Sequence, residues 1–112
     1  MVKELVQKLA TGTHPVALGG AQTSLQDFQR RVKEMGYVFI QFTDTRGGTN
    51  LGVRVDMAST DLSNADFATG TGTAHIEGTL TLDYVHVRCA VDIDLATRQG
   101  TGRLLILEEV HP

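Results

Sequence analysis

Two neighbouring segments alternate apolar and polar residues with opposite parity, which constrains the fold more than any other feature of the sequence. In residues 73–82 the even positions are apolar or glycine, whereas in residues 85–95 the odd positions are apolar. Such alternation is typical of half-buried strands. A two-residue turn at Asp83-Tyr84 pairs Leu82 with Val85 and keeps both apolar sets on one face. The pattern predicts a hairpin; a single bulged strand is the alternative, because Asp-Tyr is a poor tight-turn pair.

The period of two extends over the chain after Gly36. Residues 38–42 and 51–57 alternate in the same way, and the loop between them contains Gly47-Gly48. A last strand, at about residues 101–109, follows a turn at residues 96–100. We therefore predict five mainly antiparallel strands within residues 37–112.

Before Gly36 the apolar residues recur at helical spacing. A capping box at Thr23 and Gln26 begins the stronger predicted helix, and Gly36 supplies its left-handed end. One face of this helix carries four apolar residues: Leu25, Phe28, Val32 and Met35. A weaker helix is predicted from about Val2 to Ala10, and residues 14–20 are predicted to form a connector, with a short extended piece at residues 16–18.

Together these elements predict a single α+β domain over residues 1–112. Two N-terminal helices form a helical layer at residues 1–36, and a five-stranded antiparallel sheet, a roll or a meander, follows at residues 37–112. A length of 112 residues suits one domain of this kind.

Composition disfavours several classes of function. The net charge of −3 provides no overall positive field for nucleic acid or anionic lipid. A basic group on the main helix, Arg30, Arg31 and Lys33, is interpreted as a solvated face. The single cysteine, Cys89, cannot form an internal disulfide, and its place in an alternating apolar series predicts a core residue. We expect a cytoplasmic protein that binds neither nucleic acid nor a membrane.

The last strand suggests a protein interface. Residues 104–107 are all apolar, so both faces of this strand need a cover, and the short helices can supply only one. The outer face is the predicted interface, with Leu104 and Ile106 at its centre, Ala90 beside them, and Arg88 and Glu108 at the rim.

A second set of residues could bind a ligand. The loop at residues 45–50 combines an arginine, two glycines and hydroxyls, which suits an anion, but turn chemistry is the better explanation. The polar face of the hairpin places His75 opposite Asp92 and Thr79 opposite Arg88, but metal-ligand spacing such as HxH is missing from the sequence. The ligand candidates are Arg46, Tyr37, Tyr84, His75 and His86; no metal, cofactor or catalytic residue is predicted.

Two functions from different classes follow. The first is association without catalysis, as a homo-oligomer or as an accessory subunit of a larger complex. The alternative is a small roll that binds or transforms a ligand in a cavity between helix and sheet. The sequence contains no coherent catalytic set, which favours the first.

Overall fold

The computed structural model describes residues 4–19, 24–45, 47–82 and 84–109, of which 54% lie in strands and 17% in helices. The two helices are α1 (Glu4–Leu9) and α2 (Leu25–Arg30), and α2 continues as a π-helical turn at Arg31–Met35. The strands are β1 (His14–Leu18), β2 (Tyr37–Phe42), β3 (Thr49–Val55), β4 (Ala65–Asp66), β5 (Thr71–Leu82), β6 (Val85–Asp94) and β7 (Gln99–Glu109).

Six antiparallel strands close into a barrel, so the predicted α+β fold class is wrong. The strand order is β3-β2-β1-β7-β6-β5, and β5 pairs back to β3, while β4 adds a short strand to β5. The sheet does not follow a helical layer, because the segment predicted as a connector supplies β1 between the two helices. The sequence predicts only the extended piece of this strand at residues 16–18.

Pro15 is compatible with β1 because of where it lies. Its carbonyl accepts a hydrogen bond from the backbone N–H of Thr43 (3.1 Å), just beyond the end of β2. The nitrogen of a strand residue faces the same side as its carbonyl, so the missing N–H of Pro15 lies at the end of the β1–β2 ladder, and the pairing with β7 loses no hydrogen bond.

The barrel closes through only two residue pairs between β3 and β5, Arg54 with Thr79 and Val55 with Gly78. A Cβ atom at Gly78 would overlap the carbonyl oxygen of Arg54 and the side chain of Val53. Glycine at this position therefore lets the two strands approach closely enough to pair.

The predicted hairpin register is confirmed from residue 73 to the end of β5 and over all of β6. Leu82 pairs with Val85, and the polar face places His75 opposite Asp92 and Thr79 opposite Arg88, as expected. Tyr84 has a positive φ of 63°, and Asp83 lies outside the described residues.

The barrel interior is apolar and the helices add to it. Val6 and Leu9 from α1, Phe28 from α2 and Val32 from the π-helical turn are fully buried. The largest interior side chains from the strands are Phe42, Ile40, Ile76, Ile93 and Leu104.

The observed ends of α2 and its π-helical turn can be compared with the predicted helix. Ser24, one residue after the predicted cap, accepts a hydrogen bond on Oγ from the N–H of Asp27 (3.1 Å), and Thr23 lies outside the described residues. Gly36 is left-handed with φ 66°, which confirms the predicted end. Met35 is exposed rather than buried, because a π turn holds more residues than an α turn and rotates it off the apolar face.

Candidate functional site

One edge of β7 loses its strand partner partway along the strand. Its pairing with β1 ends at Gly102, opposite His14, whereas its pairing with β6 continues to Glu109. The chain before His14 leads back into α1, and a helix cannot continue the ladder. From residue 103 onwards, no other described strand pairs with this edge of β7. We call residues 103–108 the open edge.

The open edge exposes a run of large apolar side chains. The exposed fractions are 42% for Leu105, 43% for Ile106 and 55% for Leu107. The pairing of β7 with β6 shifts between Val87 and His86, which leaves Leu107 as a bulge. Arg103 and Glu108 are exposed at the two ends of the run, and neither has an ion-pair partner among the described residues. The edge is thus an apolar centre between opposite charges.

The structure places the predicted interface residues differently from the expectation. Leu104, the expected centre of the outer face, is fully buried opposite Cys89, so it points into the barrel. Ile106 has the same inward parity but is exposed near the end of β7. Ala90 is half-buried, and Glu108 is exposed opposite His86.

A signal for the direction of Leu104 was present in the sequence. Gln99, Thr101 and Arg103 are polar and alternate with Gly100 and Gly102. The polar residues lie at outward positions and the glycines at inward positions of the strand. The same alternation places Leu104 at an inward position.

Arg88, expected at the interface rim, is held within the chain. Its Nη2 donates to Asp56 Oδ2 and its Nε donates to Glu77 Oε1, both at 3.0 Å. Hydrogen bonds from His75 and Arg88 lower the pKa of Glu77, and the Arg88 hydrogen bond lowers that of Asp56. Because both hydrogen bonds are charge-assisted, Arg88 stabilises the outer face of the β5–β6 pair.

His75 extends the same network. Its Nε2 lies 2.7 Å from Glu77 Oε2 and its Nδ1 lies 2.8 Å from Asp92 Oδ1. These hydrogen bonds, the Glu77 bond first, raise the pKa of His75. An imidazole between two carboxylates carries protons on both nitrogens and keeps no lone pair for a metal. Within the described residues, no group of three or more His, Cys, Asp or Glu side chains could hold a metal ion.

None of the ligand candidates within the described residues faces the barrel interior. Tyr84 is 60% exposed at the β5–β6 turn, His75 belongs to the outer network, and Arg46 lies outside the described residues. Tyr37 and His86 are exposed, and both line one cleft on the outer surface between β3 and β5. The interior expected to hold a ligand is filled instead by the apolar side chains of the core.

His14, for which the sequence predicts no role, is buried and connects two segments of the chain. Its Nδ1 lies 2.7 Å from Asp44 Oδ2, and its Nε2 lies 2.8 Å from the Lys8 carbonyl and 2.9 Å from the Thr11 carbonyl. Acceptors on both nitrogens require an imidazolium. The Asp44 hydrogen bond is the largest cause of its raised pKa. The ring thereby connects the end of α1 to the loop after β2. No local pattern in the sequence predicts this contact.

Cys89 is buried at 1% exposure, as predicted for a core residue. Burial raises the pKa of its thiol to about 12, so it is not activated as a nucleophile.

Comparison with known proteins adds no functional assignment. No protein-family description matches the sequence, and a search of curated proteins gives no match. Across the part of the chain that the structure describes, every helix is too short or too polar to cross a membrane. The geometry of the outer surface is therefore the basis for assigning a function.

Proposed function

We propose that the protein functions by self-association, with the open edge of β7 pairing antiparallel to the same edge of a second copy. The observation that carries this proposal is the exposure of Leu105, Ile106 and Leu107 on an edge that no described strand covers. Proteins usually protect such edges with charges, prolines or covering segments. A second strand would satisfy the backbone groups and remove these side chains from water.

The charges at the ends of the open edge favour a second copy of this chain as the occupant. In an antiparallel pair, Arg103 of each protomer lies beside the partner's Glu108. Two-fold pairing thus forms two opposite-charge contacts around an apolar centre. A partner of different sequence, which would make this chain an accessory subunit, is the competing occupant.

The dimer belongs in the cytoplasm under this proposal, because the lone Cys89 cannot form the internal disulfides typical of short secreted domains. Neither nucleic acid nor a membrane takes part, and association needs no catalytic residue.

The first test compares two lysine substitutions by sedimentation equilibrium over a protein concentration series. Leu107→Lys introduces a charge into the open edge, and Met57→Lys introduces the same charge at a comparably exposed position, 49% exposed, in the turn after β3. We expect wild type and Met57→Lys to form dimers and Leu107→Lys to remain monomeric. Circular dichroism verifies that both variants are folded.

A charge exchange then identifies the occupant. Arg103→Glu places like charges together at both ends and should weaken the dimer roughly tenfold, since an exposed pair contributes up to about 1 kcal/mol. Adding Glu108→Arg should restore dimerisation, because both ends of the paired strands then carry opposite charges again. This rescue is expected only if the occupant of the open edge is a second copy that carries both substitutions. A wild-type chain that stays monomeric at all concentrations would contradict self-association and leave a partner of different sequence.

A further inference from the structure

A cleft opens at the seam where the barrel closes. β5 pairs with β3 only at Thr79 and Gly78, and after Thr79 it continues along β6 and leaves β3. The space between the diverging strands is an open cleft of about 490 Å³. Its lining side chains are Tyr37, Arg54, Thr79, Leu80, Thr81 and His86.

The cleft is rich in hydrogen-bond donors and contains no acidic side chain among the described residues that line it. Arg54 is exposed and has no carboxylate partner within the described residues, in contrast to Arg31 and Arg88. The Nδ1 of His86 lies 2.8 Å from the hydroxyl oxygen of Thr81, which occupies one ring nitrogen and leaves Nε2 for a ligand. The chain has a net charge of −3, whereas the side chains that line this cleft include a cation and no carboxylate.

Tyr37 forms a fixed aromatic wall beside the arginine. It is the direct strand partner of Arg54, and its phenol lies so close to β3 that a Cβ atom at Gly52 would overlap its hydroxyl. The ring also packs edge-on against Phe39, with centroids 5.3 Å apart. An apolar wall next to a guanidinium suits a ligand with an anionic and an apolar end.

We infer that this seam cleft binds a small oxyanion, a carboxylate or a phosphate, attached to an aromatic or apolar group. The guanidinium of Arg54 pairs with the oxyanion, and Tyr37 and Leu80 contact the apolar part. When the Thr81 hydroxyl donates to His86 Nδ1, the N–H at Nε2 donates one further hydrogen bond to the oxyanion. Glu108, the strand partner of His86 in β7, does not line the cleft. This inference is independent of self-association through β7.

Isothermal titration calorimetry with three probes tests the inference: phenyl phosphate, inorganic phosphate and benzoate. We expect phenyl phosphate to bind several-fold more tightly than inorganic phosphate, because only the former uses the apolar wall. Comparison with benzoate then identifies which oxyanion the cleft prefers.

Arg54→Gln should weaken binding of the preferred probe at least tenfold, the loss expected for one charge-assisted pair. Arg98→Gln removes the same charge from an exposed position in the turn before β7 and should leave binding unchanged. His86→Gln should reduce affinity by a smaller factor, and the monomeric Leu107→Lys variant should bind as wild type does.

Two results would overturn the inference. The first is that none of the three probes binds to the wild type at millimolar concentration. The second is an equal loss of affinity in Arg54→Gln and Arg98→Gln, which would indicate a general charge effect rather than a site.

Discussion

Replacing Leu104 with alanine should destabilise the folded chain by roughly 3 kcal/mol. The substitution removes three carbon atoms from a side chain that is 0% exposed. At about 0.8 kcal/mol per buried methylene, the lost transfer energy alone is about 2.4 kcal/mol. The unfilled space adds to this, and leucine-to-alanine changes in cores cost about 2–5 kcal/mol in total. At about 4 °C per kcal/mol for a domain of this size, the melting temperature should fall by about 12 °C.

Leu105→Ala is the matched control, because the same atoms leave a side chain that is 42% exposed on the opposite face. No closed cavity forms there, so we expect a loss of about 1 kcal/mol. Urea unfolding followed by far-ultraviolet circular dichroism suits a chain without tryptophan. Both variants are compared in the Leu107→Lys background so that association does not contribute. An equal or larger loss for Leu105→Ala would refute the inward direction of Leu104.

Three further predictions concern other parts of the chain. The thiol of Cys89 should resist alkylation in the native protein and react on unfolding, and rapid labelling of the folded chain would contradict its burial. The Asp44 hydrogen bond raises the pKa of His14, so this histidine stabilises the fold fully below its unfolded pKa of about 6.5, and the stabilisation is lost as pH rises through the folded pKa. The free energy of unfolding lost in His14→Gln should thus be larger at about pH 6 than at about pH 9; an equal loss would exclude the imidazolium. Gly78→Ala should separate β3 from β5 and speed amide exchange at Asp56, whose N–H donates to the Glu77 carbonyl across the seam (2.8 Å), and unchanged exchange would show that the seam tolerates a side chain.

The local pattern is enough to predict the pairing of β5 with β6. The opposite parity on the two sides of Asp83-Tyr84 allows only registers that keep both apolar sets together, and a two-residue turn selects the one in which Leu82 meets Val85. The end of α2 at Gly36 is equally local, because a left-handed residue there requires little beyond glycine.

Barrel closure cannot be predicted in this way, because it depends on contacts between distant segments. β1 is a short strand with a proline near its start, and its alternation is too brief to separate it from a connector. The seam joins Arg54 to Thr79, and residues 58–72, which lie between them, are irregular in sequence. Nothing local indicates that β5 returns to β3.

The candidate sites follow the same division. Tyr37 and His86 stand out by residue type and both line the seam cleft, but Arg54 resembles any polar residue in an alternating strand. In β7 the uniform apolar run hides the direction of each side chain. The polar residues before it indicate the direction of Leu104. The open edge itself is explained only by the tertiary structure, because β1 begins at His14 and has no residue to pair with β7 beyond Gly102.

The position of β7 between β1 and β6 has a consequence for synthesis on the ribosome. The first strand of the barrel finds its second neighbour only when the last strand has left the exit tunnel, because His14 pairs with Gly102. Until then β1 can pair with β2 alone, and β6 has β5 on one side and nothing on the other. Most of the apolar interior therefore stays exposed to solvent until residues 99–109 are available to close the barrel. A nascent chain that stalls before this segment should be a substrate for chaperones.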